Sequence, residues 1–598
     1  MCGIVGAAAA ADARAFLLRG LEAVEYRGYD SAGIAFAGAR GVRRFAVAGR
    51  VEKLRGKTQN AAGHTGIGHT RWATHGAPTM QNAHPVACGA IALAHNGIIE
   101  NHARLRAELR AAGRVFRTET DTETAAHLLD MALAEDGDLL SAMQKTAAQL
   151  TGAFALAAIA AGRREIAFVR RDSPLLVGVG KGGAYLASDA QALQNAADKI
   201  ARLEDGDCGV ISAGEVRILN ARGAAVRRAW RKPPAQTAAA LGAHRHFMQK
   251  EIFEQPQAAA AATRPFSDGK QILMRAFGRG AAGAFRRAGN ILLLACGSSC
   301  HAAMTARYWM RRLGIPCRTE ISSEYRAGPD AEATGALAVA VSQSGETADT
   351  LSALRAAKKS GAATLALVNA PDSAIEREAD FVMHARAGPE IGVASTKCFT
   401  AQLAQLLLLS LALGKARGRL LPRDETAALA QIAKLPEILR RALLLENKII
   451  PWARTFAAAQ NALYIGRGAH YPLALEGALK LKEISYLHAE GCAAGELKHG
   501  MLALVDGKMP IVGLAPDNAL SAKMAANLSE VAARRGRLFI LGAANIPGAK
   551  TIAVEDGGEW ISPITYAVPL QLLAYHTARK KGADIDKPRN LAKSVTVE

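Results

Sequence analysis

The stretch ILLLACG, Ile291 to Gly297, decides how the larger part of this chain folds. Five apolar residues before a glycine have the length of a strand buried on both faces, with no polar side left for solvent. ALAVAV (Ala336 to Val341) and TLALV (Thr364 to Val368) repeat that texture, and each leads into a longer amphipathic segment. Buried strands alternating with helices predict a parallel sheet covered by helices, joined by right-handed crossovers. The same stretch has an echo. Leu293-Leu294-Ala295-Cys296-Gly297 resembles Tyr464-Ile465-Gly466-Arg467-Gly468, 171 residues further on. Val341 answers to Leu514, Val368 to Leu541 and Gln402 to Gln571, all at nearly the same offset. Four matches in order predict two copies of one doubly wound α/β unit, over 251–425 and 426–598.

Toward the N-terminus the texture changes. Short apolar runs punctuated by glycine, VAGRVEKL, GHTGIGHT, CGAIALAHNG, LTGAFALAAIAAG and GGAYLAS, have the lengths and boundaries of antiparallel strands with a few helices between them. Pro233-Pro234 and the Ala-rich sequence behind it break this pattern. The expected divisions are a first domain over 1–235 and a linker over 236–250.

Composition narrows the class. The chain has 598 residues, half of them hydrophobic and 21% charged, which is the balance of a folded chain with room for three domain-sized units. The longest apolar stretch, near Leu403 to Leu413, is interrupted by Gln405 and Ser410 and reads as a buried helix rather than a membrane span. No basic segment followed by an apolar core opens the chain, so the expected compartment is the cytoplasm, with no membrane partner. The eight cysteines form neither CxxC pairs nor a zinc pattern, and free thiols with no bound metal are expected. Lys and Arg number 74 against 53 Asp and Glu, a net charge of +21. The basic residues are scattered and aromatic content is 5%, which counts against a nucleic-acid surface.

Two places carry chemistry. In the first α/β copy the strand ending at Val341 runs into Ser342-Gln343-Ser344-Gly345-Glu346-Thr347 before a helix, and Ser298-Ser299 follow the strand at Ile291. Hydroxyls and free N–H groups at helix N-termini on one sheet edge suit a dianionic phosphate, although Ser and Thr at such turns are also ordinary N-caps. The second copy has Ala515-Pro516-Asp517 at the matching turn and lacks that set. At the start of the chain, removal of Met1 leaves Cys2 with a thiol and a free α-amine, which can act as the base for its own side chain.

CGIVG after Met1, EYRGYDSAG (Glu25 to Gly33), GHTRWATHG (Gly68 to Gly76), NAHP (Asn82 to Pro85), HNGIIEN (His95 to Asn101) and TDTE (Thr120 to Glu123) together resemble the glutaminase domain of the glutamine–fructose-6-phosphate aminotransferases. SQSGETADTL (Ser342 to Leu351), GVASTK (Gly392 to Lys397), LEGALKLKEISY (Leu475 to Tyr486), AAGELKHG (Ala493 to Gly500) and PRNLAKSVTVE (Pro588 to Glu598) resemble that family's isomerase domain, and HRHFMQKEI (His244 to Ile252) its linker. The resemblance covers essentially the whole chain. It implies an α+β, four-layer αββα glutaminase domain of the N-terminal nucleophile hydrolase type, followed by two sugar-isomerase units. The implied reaction turns glutamine and fructose 6-phosphate into glutamate and glucosamine 6-phosphate, the first step of amino-sugar nucleotide synthesis, with no cofactor and with ammonia passed internally.

The resemblance also implies roles. Cys2 attacks the glutamine amide, the Asn96 side chain and Gly97 N–H form the oxyanion hole, and Arg71 holds the substrate carboxylate with help from Thr74 and His75. Asp121 takes the ammonium and Trp72 gates the ammonia path. Ser298, Ser299, Ser342, Gln343, Ser344, Thr347 and Ser395 bind the sugar phosphate. Lys593 forms the Schiff base, Glu483 carries the proton beside Lys480, and His499 opens the sugar ring from a second subunit, which implies a homodimer. On spacing alone Lys480 and Glu483 read as an exposed i,i+3 pair, Lys593 as a solvated tail residue, Arg71 as a surface ion-pair group and Trp72 as core. Met501, Cys492 and Cys300-His301 depart from the family pattern and bear on the shape of the sugar pocket. Alternatives are an amidotransferase acting on another ketose phosphate and a non-catalytic sugar-phosphate sensor.

Overall fold

A computed structural model describes residues 2–9, 11–233, 240–325 and 333–596. The chain forms two compact units that divide between residues 238 and 239. The boundary expected at 235/236, and the start of the linker with it, lie outside the described residues.

The first unit is built on two antiparallel sheets, of eight and six strands. Gly3–Ala9 sits inside the larger sheet between Gly183–Ala187 and Thr65–Arg71. Ile91–Gly97 sits inside the smaller one, against Phe154–Ala160. Alternation along these strands explains the four layers. Ile4 and Ala8 join one apolar cluster with Ala155, Ala157 and Ile159 of the other sheet, whereas Val5 and Ala7 pack with Leu17 and Leu21 of the helix Arg14–Val24. Phe154, Leu156 and Ala158 turn the opposite way, toward Leu129 and Met143 of the helices Asp121–Asp136 and Leu139–Gln149. Both faces of each sheet are therefore apolar, one on the partner sheet and one on helices, which gives the αββα order.

One run was misjudged at the sequence level. VAGRVEKL contains the end of a strand, Val42–Ala48, and the start of a helix, Val51–Lys57. Gly49 takes φ +95° at the junction, which turns the chain out of the strand.

The second unit contains two five-stranded sheets, parallel throughout. The first runs Cys317–Ile321, Ile291–Ala295, Leu337–Ser342, Ala363–Val368, Phe381–His384 in spatial order. The second runs His488–Ala493, Asn461–Gly466, Pro510–Ala515, Arg537–Gly542, Lys550–Ile552. Both share the order 2-1-3-4-5, so the internal repeat is a repeat of topology. In that order the chain switches direction between the first and third strands, which is where ligands of doubly wound sheets bind. In the first copy these strands end at Ala295 and Ser342. The helix Lys397–Ala416 is longer than the apolar stretch predicted it and is long and apolar enough to cross a membrane, yet its apolar window is wholly buried inside the protein. Its polar donors are used there: Gln405 Nε2 donates to the carbonyls of Ala262 and His384, and Ser410 Oγ to that of Leu406.

Candidate active sites

In the first unit, strand pairing assembles the site. Gly3 lies opposite Thr70 in the sheet, so Cys2 falls beside the residues that follow Arg71. The Trp72 N–H donates to Cys2 Sγ at 3.3 Å. Burial pushes the Cys2 thiol up from its ordinary range, and the Trp72 N–H and the Arg71 charge act against that rise. Thiolate formation therefore needs a base or a bound substrate charge.

Asn96 and Gly97 close the strand Ile91–Gly97. Gly97 has φ +124°, and a Cβ there would sit 2.0 Å from the Ala153 carbonyl oxygen, so glycine alone fits. Asn96 is buried, and its Oδ1 has no hydrogen-bond partner among the described residues. Asp121 opens the helix Asp121–Asp136; its carboxylate accepts the N–H of Ile99 at 2.9 Å and of Thr122 at 3.0 Å. It ties the segment after Gly97 to a helix N-terminus, where a negative charge is favoured.

Arg71 is buried, unlike the surface residue its spacing suggested. Its guanidinium donates to the carbonyls of His75, Gly76 at 3.1 Å and Ala77 at 3.3 Å. Arg71 thus shapes the loop that carries Thr74, which is exposed, and His75. Trp72 is half-buried rather than core.

Three histidines inside motifs already quoted were not assigned any role: His69, His84 and His95. All are buried, with His69 and His84 ring centroids 4.5 Å apart. Burial lowers all three, His69 to about 3, so they form a neutral imidazole cluster under the Cys2 strand. His69 Nε2 bonds the His95 carbonyl and His95 Nδ1 the Thr122 hydroxyl. His69 and His95 are polar side chains at buried strand positions, and His84 lies just before the strand Val86–Cys88.

In the second unit the turn after Leu337–Ser342 organises itself. Ser342 Oγ accepts the Gly345 N–H at 3.0 Å and shares a 3.0 Å hydrogen bond with Thr347, the residue preceding the helix Ala348–Lys359. Ser344 Oγ accepts the Glu346 N–H at 3.2 Å. The Gln343 carbonyl accepts from Asn369 and Ala370, which fixes the turn to the next strand. Gly345 has φ +63°, and a Cβ there would meet Ser373 Oγ at 2.0 Å. Ser298 and Ser299 lie in the first turn of the helix Gly297–Arg312, with Ser299 Oγ 3.0 Å from Gln402 Nε2. That contact joins one member of the repeat match to the turn. Ser395 is half-buried between Ala394 and Thr396.

The tail reaches this same edge. Ser594 Oγ donates to Ser344 Oγ at 2.7 Å, and Lys593 Nζ donates to Glu390 Oε2 at 2.5 Å and to the Gly392 carbonyl at 2.8 Å. The Lys593 side chain is 5% exposed, so the solvated-tail reading fails. Burial works against the Glu390 carboxylate, but Lys593 and the N–H groups of Cys398 and Thr396 overcome it and hold the carboxyl below its usual range. A Schiff base requires the neutral amine, with the proton passed to a neighbour such as Glu390.

The Lys480 and Glu483 pair is also not an exposed one. Lys480 is 1% exposed; its Nζ donates to Glu483 at 2.5 Å and lies 3.5 Å from Glu476. Burial lowers the Lys480 ammonium, and the charges of Glu476 and Glu483 outweigh it and raise it. Glu476, which spacing did not single out, also bonds His301 Nδ1 at 2.8 Å and interacts with Ser298. The departure at His301 therefore joins the network between Ser298 and Glu483. Cys300 and Cys492 are buried thiols, each pushed up to about 11 by burial. His499 ends the short helix Ala494–His499, is exposed, and has no hydrogen bond or ion pair, to Lys480 and Lys593 included, among the described residues.

Comparison with known proteins agrees with both halves. The family described as glutamine amidotransferase domain matches residues 69–195, and the SIS domain matches 284–412 and again 455–579. The chain is similar to the glutamine–fructose-6-phosphate aminotransferase (isomerizing) of Xanthomonas campestris, 48% identical over 100% of both chains, and to that of Pseudomonas putida, 47% identical over the same share. Among solved structures, the C-terminal domain of glucosamine-fructose-6-phosphate aminotransferase from Francisella tularensis covers 58% of this chain and 100% of its own, at 39% identity and a TM-score of 0.57.

Proposed function

This chain belongs to the isomerizing glutamine–fructose-6-phosphate aminotransferases, and from that premise we propose that Cys2 in its first unit releases ammonia from glutamine for the sugar site of its second. It is an enzyme that makes glucosamine 6-phosphate and glutamate from fructose 6-phosphate and glutamine.

In the first unit the Cys2 thiol, on the terminal residue once Met1 is removed, loses its proton to its own α-amine and attacks the side-chain amide carbon. The oxyanion is met by the Asn96 amide and the Gly97 N–H. Collapse returns the proton to the leaving nitrogen, ammonia departs, and water cleaves the thioester to glutamate. Arg71, with Thr74 and His75, takes the substrate carboxylate, and Asp121 its ammonium. Trp72, bonded to Cys2 through its N–H, gates the ammonia.

In the second unit the phosphate occupies the turn Ser342, Gln343, Ser344, Thr347, with Ser298, Ser299 and Ser395 on the sugar. After ring opening, Lys593 forms an imine at C2 with loss of water. Ammonia displaces the lysine, and Glu483, held by Lys480, moves a proton from C1 to C2. The enzyme is a cytoplasmic homodimer in which the partner subunit supplies the ring-opening histidine at position 499. The observation that carries this reading is the tail: Lys593 is buried on Glu390 while its neighbour Ser594 touches Ser344 of the phosphate turn. Lys593→Ala is expected to abolish glucosamine 6-phosphate formation and leave glutamine hydrolysis measurable; unchanged synthesis in a coupled assay would remove Lys593 from the mechanism.

A further inference from the structure

One acid beside Lys593 has no part in the reaction above. Glu251 lies in the helix Phe247–Phe253 and is 2% exposed. Its Oε1 accepts the N–H groups of Ile391 and, at 3.2 Å, Gly392; its Oε2 is buried with no partner among the described residues. The Gly392 residue thus has Glu251 on its N–H and Lys593 on its carbonyl, while Glu390 holds the same ammonium. The fit is close, since a Cβ on Gly392 would lie 3.0 Å from Glu251 Oε2. Two buried carboxyls therefore act on one ammonium, Glu390 bonding it directly and Glu251 reaching it through Gly392. The other charged or titratable groups around them are Lys480, which acts on Glu390, and Cys398 and Lys397 of the helix Lys397–Ala416, the lysine being paired with Glu254 at 2.7 Å. Burial and the Glu390 charge push the Glu251 carboxyl up to about 8, so it keeps its proton at neutral pH.

We propose that Glu251 is a positioning residue for the Schiff-base lysine, acting through Glu390 and Gly392 to set how readily the Lys593 ammonium gives up its proton. The proposal rests on the reading of Lys593 as the imine-forming group. With Glu251 neutral, one carboxylate faces one ammonium, and passing the proton from Lys593 to Glu390 leaves an amine and a carboxylic acid. The amine adds to the C2 carbonyl; Glu390 then gives the proton to the departing hydroxyl, leaving a protonated imine, a carboxylate and water. With Glu251 ionised, a second negative charge stabilises the ammonium and withholds the amine. Imine formation should therefore decline above about pH 8, whereas an isolated lysine becomes more reactive as pH rises.

The test is trapping of the fructose 6-phosphate imine with cyanoborohydride on the full-length protein, read as initial rate by intact mass over roughly pH 6 to 9.5. The wild type should show the alkaline decline, and Glu251→Gln, which cannot ionise, should lose it and trap several-fold faster at the alkaline end. A Gln variant with the wild-type decline, or a wild type without one, overturns the proposal. If the Gln variant does not fold, Glu251→Asp keeps the acid in a shifted position and must move the midpoint of the decline; an unmoved midpoint overturns the proposal as well. Lys593→Arg separates the two readings, because trapping that persists in it refutes the role of Lys593 itself.

Discussion

Asn96 illustrates how a side chain is placed for the oxyanion role proposed for it: it is buried at the end of a strand, next to a glycine whose backbone no other residue can adopt. Donors fixed in advance stabilise a developing oxyanion without reorganisation, so Asn96→Ala should lower the glutaminase kcat by about 10²–10³-fold while glutamine KM changes far less. Steady-state glutaminase kinetics decide it, and a loss confined to KM would assign Asn96 to binding instead. At this scale the sequence motifs led to Cys2, Asn96, Lys480 and Lys593, but not to their surroundings. Lys480 and Glu483 looked exposed because i,i+3 spacing on the helix Tyr471–Ser485 says which residues share a face and not what covers that face. Glu390, Glu476 and Glu251 went unnoticed for the same reason: a buried carboxylate is defined by partners more than a hundred residues away or on other elements, as with Lys593 on Glu390.

Among elements, the strand-to-helix turns were the most legible. ILLLA is a strand over the range its apolar run marks, and Ala336 to Val341 and Thr364 to Val368 are off by a single residue at their ends. A strand buried on both faces is dominated by apolar residues, so its ends are largely written in composition. VAGRVEKL could not be divided in this way, since its apolar residues fit a half-buried strand and a short helix alike, and only the backbone turn at Gly49 separates them. The turn Ser342 to Thr347, proposed to hold the phosphate, belongs to this scale as well. Its hydroxyls bond one another and the turn's own N–H groups, so the element is preformed. Ser344→Ala/Thr347→Ala should raise the KM for fructose 6-phosphate by roughly two orders of magnitude or more, given that each of two hydrogen bonds to a charged group contributes about 1.5–3 kcal/mol, and should leave glutamine hydrolysis without sugar untouched. An unchanged KM would return these residues to the role of helix caps.

For the molecule as a whole, the repeat read from four residue matches is a repeated sheet order, with the phosphate-type turn retained in one copy only. What a single chain leaves open in the sugar site is the histidine, because His499 is exposed and unpaired among the described residues. If a symmetric dimer supplies it, mixing the inactive variants His499→Ala and Lys593→Ala after subunit exchange should restore about a quarter of wild-type synthesis, since half the dimers then hold one complete site of two. No restoration would mean that the histidine acts within its own chain or not at all. The net charge of +21 has no counterpart in either site, where partners are hydroxyls, N–H groups and a few named ions. The central claim, that one chain releases ammonia at Cys2 and consumes it at Lys593, is tested most directly by supplying the purified protein with glutamine and fructose 6-phosphate and measuring both products together. Glutamate and glucosamine 6-phosphate should appear one for one, even with an ammonia scavenger in solution; glutamate without the amino sugar would contradict the account.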